Sequence, residues 1–126
     1  MSTLRKLIAS EVEFTFEWHP EHGSPEGLFG YETEAENRKA IDRINRQWAS
    51  GNQFAWFAAV VRATWTAPNG KTYTGVDSLG YCSYKNERDF RKHCFPDMCS
   101  EALSHLNDEL ADLVETAEQL RTYLKP

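Results

Sequence analysis

The feature that most restricts what this chain can fold into is the apolar repeat near its C-terminus. Leu103, Leu106, Leu110, Leu113, Ala117, Leu120 and Leu124 follow one another at steps of three and four, the spacing that lines side chains along one stripe of an α-helix. The spacing predicts a helix over 97–124, with Pro96 suited to its first turn, where a missing N–H costs nothing, and Asp97 complementing the positive end of the dipole. Fully burying a leucine is worth about 1.5–3 kcal/mol, so the stripe must find a surface. That surface is either the protein's own sheet or a second copy of the helix. The repeat is near the lower limit of length for a coiled coil, so packing on the protein's own sheet is the expected use. Homodimerisation through Leu103, Leu106, Leu110, Leu113 and Leu120 is the alternative.

The opposite face of the same helix is as one-sided. Glu101, Asp108, Glu109, Asp112, Glu115 and Glu118 all precede the first basic residue, Arg121. Of these, Glu101, Asp108, Asp112 and Glu115 stay on one side of the helix, with successive turns about 5.4 Å apart. A rigid carboxylate row at that spacing resembles a nucleic-acid backbone, and it suits the Lys/Arg surface of a protein that normally holds DNA or RNA. Any amphipathic helix has a charged outer face, and solvation alone explains a carboxylate there. What distinguishes this face is the missing basic partner at i+4, which solvated helices usually interleave.

The chain has 126 residues, which fits a single domain over 1–126. Hydrophobic residues make up 40% and aromatic residues 13%, enough to fold around a core. The net charge of −5 speaks mainly to solubility, but its distribution is uneven. Two stretches without Lys or Arg, one from Glu11 to Glu36 and one from Asp97 to Glu118, hold 15 of the 19 carboxylates. The bases gather at Arg38, Lys39, Arg43 and Arg46, and again at Lys85, Arg88, Arg91 and Lys92. Residues 1–10, a frayed or helical lead-in, have too short an apolar run for a signal peptide, and no later run suffices to cross a membrane. A cytoplasmic location is expected. Cys82, Cys94 and Cys99 are an odd number, which favours free thiols over a disulfide framework.

Strict alternation from Glu11 to Trp18 predicts a half-buried strand, with Val12, Phe14, Phe16 and Trp18 inward and Glu11, Glu13 and Glu17 outward as a second acidic patch. Residues 19–32 hold two Pro and three Gly without periodicity and read as a long acidic loop. Thr33 and Glu36 form a capping-box pattern opening a helix whose inner face is Ala40, Ile41, Ile44 and Trp48, ended by Gly51-Asn52. The stretch 53–67 is apolar on both parities, as a central strand would be. Pro68-Asn69-Gly70 turns it into a partner strand over 71–79, packing Tyr73, Val76 and Leu79, in which Gly75 and Gly80 mark a bulge or a close approach. Ser83 is the expected cap of a short helix from about Tyr84 to Cys94. The fold class is therefore α+β: an antiparallel sheet of about three strands, a capped helix after strand 1, a short helix, and a long C-terminal amphipathic helix packed on one face.

Catalytic chemistry has little support in the residues. His19 and His22, with Glu17 and Glu26 nearby, are the densest group of acid–base or metal-ligating types, but Pro20 prevents a regular face between them. Cys82, Cys94, Cys99, His93 and His105 lack the C-x2-C knuckle of a zinc site and read as buried thiols at a helix corner. No nucleophile elbow, phosphate loop or dinucleotide fingerprint occurs. No cofactor, metal or catalytic residue is assigned, and a metal-dependent enzyme is the least supported alternative. Direct nucleic-acid binding through Lys85, Arg88, Arg91 and Lys92 is opposed by Glu87, Asp89 and the overall acidity.

The run Asp77-Ser-Leu-Gly-Tyr-Cys-Ser-Tyr84, then Glu87, Asp89-Phe90 and Asp97-Met98-Cys-Ser-Glu101-Ala102-Leu103, resembles small hypothetical proteins encoded by bacteriophages and prophages. The resemblance includes the strand around Phe54-Ala-Trp56 and covers roughly the C-terminal two-thirds of the chain. It carries no functional residue. It implies a setting: small acidic phage proteins are often inhibitors of host defence. Together with the acidic faces, this gives the expected function, a non-enzymatic inhibitor of a host nucleic-acid-handling complex, a CRISPR effector or a restriction enzyme. It would bind through Glu101, Asp108, Asp112 and Glu115, with Glu11, Glu13 and Glu17 as a second surface. A structural or assembly protein that dimerises through the leucine stripe is the alternative from another class.

Overall fold

A computed structural model describes residues 5–21, 25 and 33–125. Among them a 3-10 turn (Ala9–Glu11) is followed by β1 (Glu13–Pro20), α1 (Glu34–Ala49), β2 (Phe57–Thr66), β3 (Thr72–Cys82), α2 (Glu87–His93) and α3 (Phe95–Tyr123). The strands form an antiparallel sheet in the order β1-β2-β3, and the long C-terminal helix packs against it, giving the expected α+β fold. The chain groups into two compact units. One comprises 1–15, 61–77 and 97–126, and the other 16–60 and 78–96.

The first unit is built around a close approach. Gly75 in β3 lies so near α3 that a Cβ there would stand 2.5 Å from the Leu106 backbone nitrogen and inside van der Waals distance of the Ala102 carbonyl oxygen. Only glycine lets strand and helix backbones meet like this, which is the close approach expected of that residue. The helix residues over this seat, Met98, Ala102 and Leu106, are buried, as are Val61 and Ala63 of β2. Asn107 flanks the seat and joins the N-terminal lead to the helix. Its side-chain amide accepts from the Leu7 N–H at 2.9 Å and donates to the Leu7 carbonyl at 3.1 Å, the way a neighbouring strand would. Leu7 is buried as a result. Beside the seat, the His105 ring meets the Val76 carbonyl at 2.7 Å.

The second unit has an aromatic core. Phe57 and Phe90 are fully buried and cross edge to face at 5.4 Å, and Phe90 stacks on Phe16 of β1 at 4.8 Å. Helix α1 begins as expected, with the Glu36 N–H donating to Thr33 Oγ1 at 3.1 Å, and buries Ala40, Ile41 and Ile44. Gly51, at φ 96°, follows its end.

Four sequence expectations need correction. Trp48 is 40% exposed, although it stacks on Trp18 at 6.4 Å. Strand β2 starts at Phe57, later than expected, because the Asn52 side chain accepts from the Phe54 N–H at 3.0 Å and holds a turn there. Val76 and Leu79 of β3 are exposed, and the buried positions on that strand are Gly75 and Cys82. Helix α2 is capped by Asn86, whose Oδ1 accepts from the Asp89 N–H at 2.9 Å, and not by Ser83. The Tyr84 N–H donates to the Phe54 carbonyl at 2.6 Å, which ties the segment before the helix to the residues ahead of β2.

Candidate functional site: the distal half of the C-terminal helix

Helix α3 is packed along its first half only. Leu106 is 0% exposed, whereas Leu113 is 46%, Leu120 50%, Leu124 71% and Tyr123 83% exposed. Every residue from Ala111 to Lys125 is classed as exposed, along about 20 Å of helix. Of the predicted stripe, Leu106 meets the protein's own core, Leu103 and Leu110 are half-buried at its margin, and Leu113, Ala117 and Leu120 lie bare. The stripe is a real amphipathic face, and only its beginning has found a partner.

Where the packed half gives way to the bare half, the stripe forms one wall of a groove of about 480 Å³, whose helix side is Leu110, Leu113, Val114 and Ala117. Its other wall includes Leu7, Trp65 and Tyr73. Trp65 and Tyr73 stack on each other at 6.1 Å across the β2–β3 hairpin, and Lys71 caps the Tyr73 ring at 5.9 Å. The apolar surface is therefore continuous from the groove to the helix tip.

The carboxylates Glu101, Asp108, Asp112 and Glu115 are all exposed and project from the side of α3 away from the leucines. Glu101 stands 3.9 Å from His105 Nε2. Among the described residues no ion pair to Lys or Arg engages Asp108, Asp112 or Glu115. The His105 ring is pushed above its ordinary pKa, chiefly by its hydrogen bond to the Val76 carbonyl; desolvation opposes this, and the nearby carboxylates of Glu101, Asp77 and Asp108 add to the rise.

The expected second acidic patch is not one row. Glu11 lies in the 3-10 turn before β1, and Arg5 grips it with two bonds of 2.9 and 2.8 Å. That fork, with the Ile8 N–H donating to the same carboxylate, holds Glu11 at a pKa of about 2. Glu13 is exposed on β1. Glu17, also on β1, meets His19 Nε2 at 3.1 Å.

The candidate ligand and nucleophile groups have structural partners of their own. His22 and Glu26 lie outside the described residues. Cys82 is buried, its thiol directed at the Leu79 carbonyl at 3.4 Å and pushed up to about 12 by burial and by the neighbouring Cys94. Cys94 is buried and Cys99 partly so, both as free thiols. His93 pairs with Asp89 at 2.9 Å. Among the described residues no three His, Cys, Asp or Glu side chains are grouped closely enough to hold a metal ion. Nor is any described helix long and apolar enough to cross a membrane.

The Asn107 clamp and the Arg5–Glu11 fork have no sequence signature, since each joins residues whose meeting depends on the fold. The one available hint at Asn107 is a polar residue directly behind the apolar stripe. Comparison with family models, with curated proteins and with solved structures finds no match, so the distal half of α3 has to be interpreted from its own geometry.

Proposed function

We propose that this protein is a non-enzymatic binding protein that pairs with a second copy of itself through the distal half of α3. The observation that carries this reading is the bare row Leu113, Leu120 and Leu124. Half-covered leucines gain about 1–2 kcal/mol each on full burial, whereas exposed carboxylates are already well solvated and gain little from a partner. The apolar face therefore has the stronger need of cover. The carboxylates of Glu101, Asp108, Asp112 and Glu115 point away from it, so two stripes can meet without bringing those four charges together. The gain from both copies is similar in size to the cost of association, so the dimer is weak and reversible and forms only as protein concentration rises. Mass in solution, measured over a concentration series, tests this. The protein should pass from monomer to dimer, and the double variant Leu113→Glu/Leu120→Glu should stay monomeric with an unchanged circular dichroism spectrum. A wild-type protein that remains monomeric at high concentration overturns the reading.

A second reading rests on a separate observation, that Asp108, Asp112 and Glu115 on one side of α3 have no Lys or Arg partner among the described residues. In it the acid face docks on the basic surface of a nucleic-acid-handling protein, with inhibition of a CRISPR effector or restriction enzyme as the consequence. Capture from a bacterial lysate carrying such systems should retain a nucleic-acid enzyme that added DNA releases. Reversing Glu101, Asp108, Asp112 and Glu115 to Lys should abolish that capture, and capture that survives the reversals ends the idea.

A further inference from the structure

The second unit contains a cleft made of two adjoining hollows that share Arg43, Ser83 and Tyr84. One, of about 320 Å³, is mixed in character and brings together the apolar side chains of Ile44 and Leu79 and the ring of Tyr81. The other, of about 250 Å³, is polar and includes Gln47, Lys85 and Asp89. Asp89 is already engaged. Its carboxylate accepts from the Lys85 N–H at 3.1 Å and pairs with His93 at 2.9 Å. The charged ends of Arg43 and Lys85, by contrast, have no ion-pair partner among the described residues. The cleft therefore offers two available cations beside a hollow that carries Ile44, Leu79 and Tyr81.

Backbone strain marks the same place. Tyr81, at φ 56°, is the one described non-glycine residue in the left-handed region, a conformation that costs a bulky residue about 1–2 kcal/mol. It is held there from both ends. Its N–H donates to Glu21 Oε2 at 2.9 Å, and its ring stacks at 5.5 Å on the buried Trp56. The result is a fixed, 53% exposed aromatic ring lining that hollow.

We propose that this cleft binds a small organic anion with a flat apolar ring, the ring lying beside Tyr81 and Leu79 and the phosphate or carboxylate meeting Arg43 and Lys85. Neither hollow alone explains both the cations and the ring, whereas a ligand with both parts fills the pair. The site is independent of the α3 stripe.

NMR titration of the 15N-labelled full chain with 1-naphthyl phosphate tests the proposal. Amide shifts should saturate and be confined to residues 43–47 and 79–85. Arg43→Gln should weaken binding about tenfold, the loss expected for one charge-assisted hydrogen-bonded contact. Lys39→Gln, one turn earlier on α1, should leave it unchanged. Removing the anion (1-naphthol) or the ring (inorganic phosphate) should each weaken binding by about tenfold or more. Shifts centred on residues 110–124, equal losses from Arg43→Gln and Lys39→Gln, or no saturation at millimolar probe would each overturn it.

Discussion

The two halves of α3 carry one repeat and meet different surroundings. From Met98 to Leu106 the stripe lies over Gly75, where the absence of a side chain lets the helix backbone settle onto the strand. From Leu113 to Leu124 the same spacing continues, but among the described residues its leucines stay 46%, 50% and 71% exposed. Periodicity reports which side of a helix is apolar. It does not report whether the rest of the chain is long enough, or placed, to cover that side. The proximal half is thus a piece of core and the distal half a surface, although the leucines look alike in sequence.

The sharpest way to break this comparison is at the seat. Gly75→Val should destabilise the protein by at least about 3 kcal/mol in urea unfolding, because the added atoms meet helix backbone that cannot rotate away. Leu106→Ala should cost about 2–5 kcal/mol. Leu120→Ala, measured at a concentration where the protein is monomeric, should stay within about 0.5 kcal/mol of wild type. If Leu120→Ala costs as much as Leu106→Ala under those conditions, the distal half is packed after all and the distinction fails.

Asn107→Ala comes next in size. It leaves a partly buried Leu7 N–H and carbonyl without partners, a loss of about 1–3 kcal/mol, and hydrogen exchange at the Leu7 amide should accelerate with it.

Two smaller effects depend on pH. Glu11 has its pKa depressed to about 2 from 4.5 by Arg5, so its contribution to stability is complete above the unfolded value and fades as pH falls from about 4.5 toward 2. Arg5→Gln should flatten that part of a stability-against-pH curve. His105 is shifted the other way. Its raised pKa means that the contribution is complete below the ordinary value of 6.5 and is lost as pH rises through the folded-state value. His105→Gln should remove that slope at the near-neutral end while leaving the acid end unchanged. Both groups are exposed, so both slopes should shrink in high salt.

Much of the candidate site was legible in the chain. The stripe, the acid row behind it and the α+β order of elements all follow from local periodicity, and the Thr33 cap from a local motif. Two of the errors turn on residues whose local character suits more than one role. Ser83 and Asn86 are both competent caps, and the helix opens at Asn86, whose Oδ1 accepts from the Asp89 N–H. Likewise, Val76 and Leu79 have strand-core character, but the place where α3 crosses β3 is occupied by Gly75.

By itself, then, the sequence determined where helices and strands form and which side of each is apolar, since those properties depend on neighbours within a few residues. Only the tertiary structure decided how far along α3 burial extends, that Arg5 neutralises Glu11, that Asn107 stands in for a strand beside Leu7, and that Arg43 and Lys85 share a cleft with a strained Tyr81. Each of these joins residues far apart in the chain or fixes a conformation that distant groups enforce, and no local pattern encodes such a meeting.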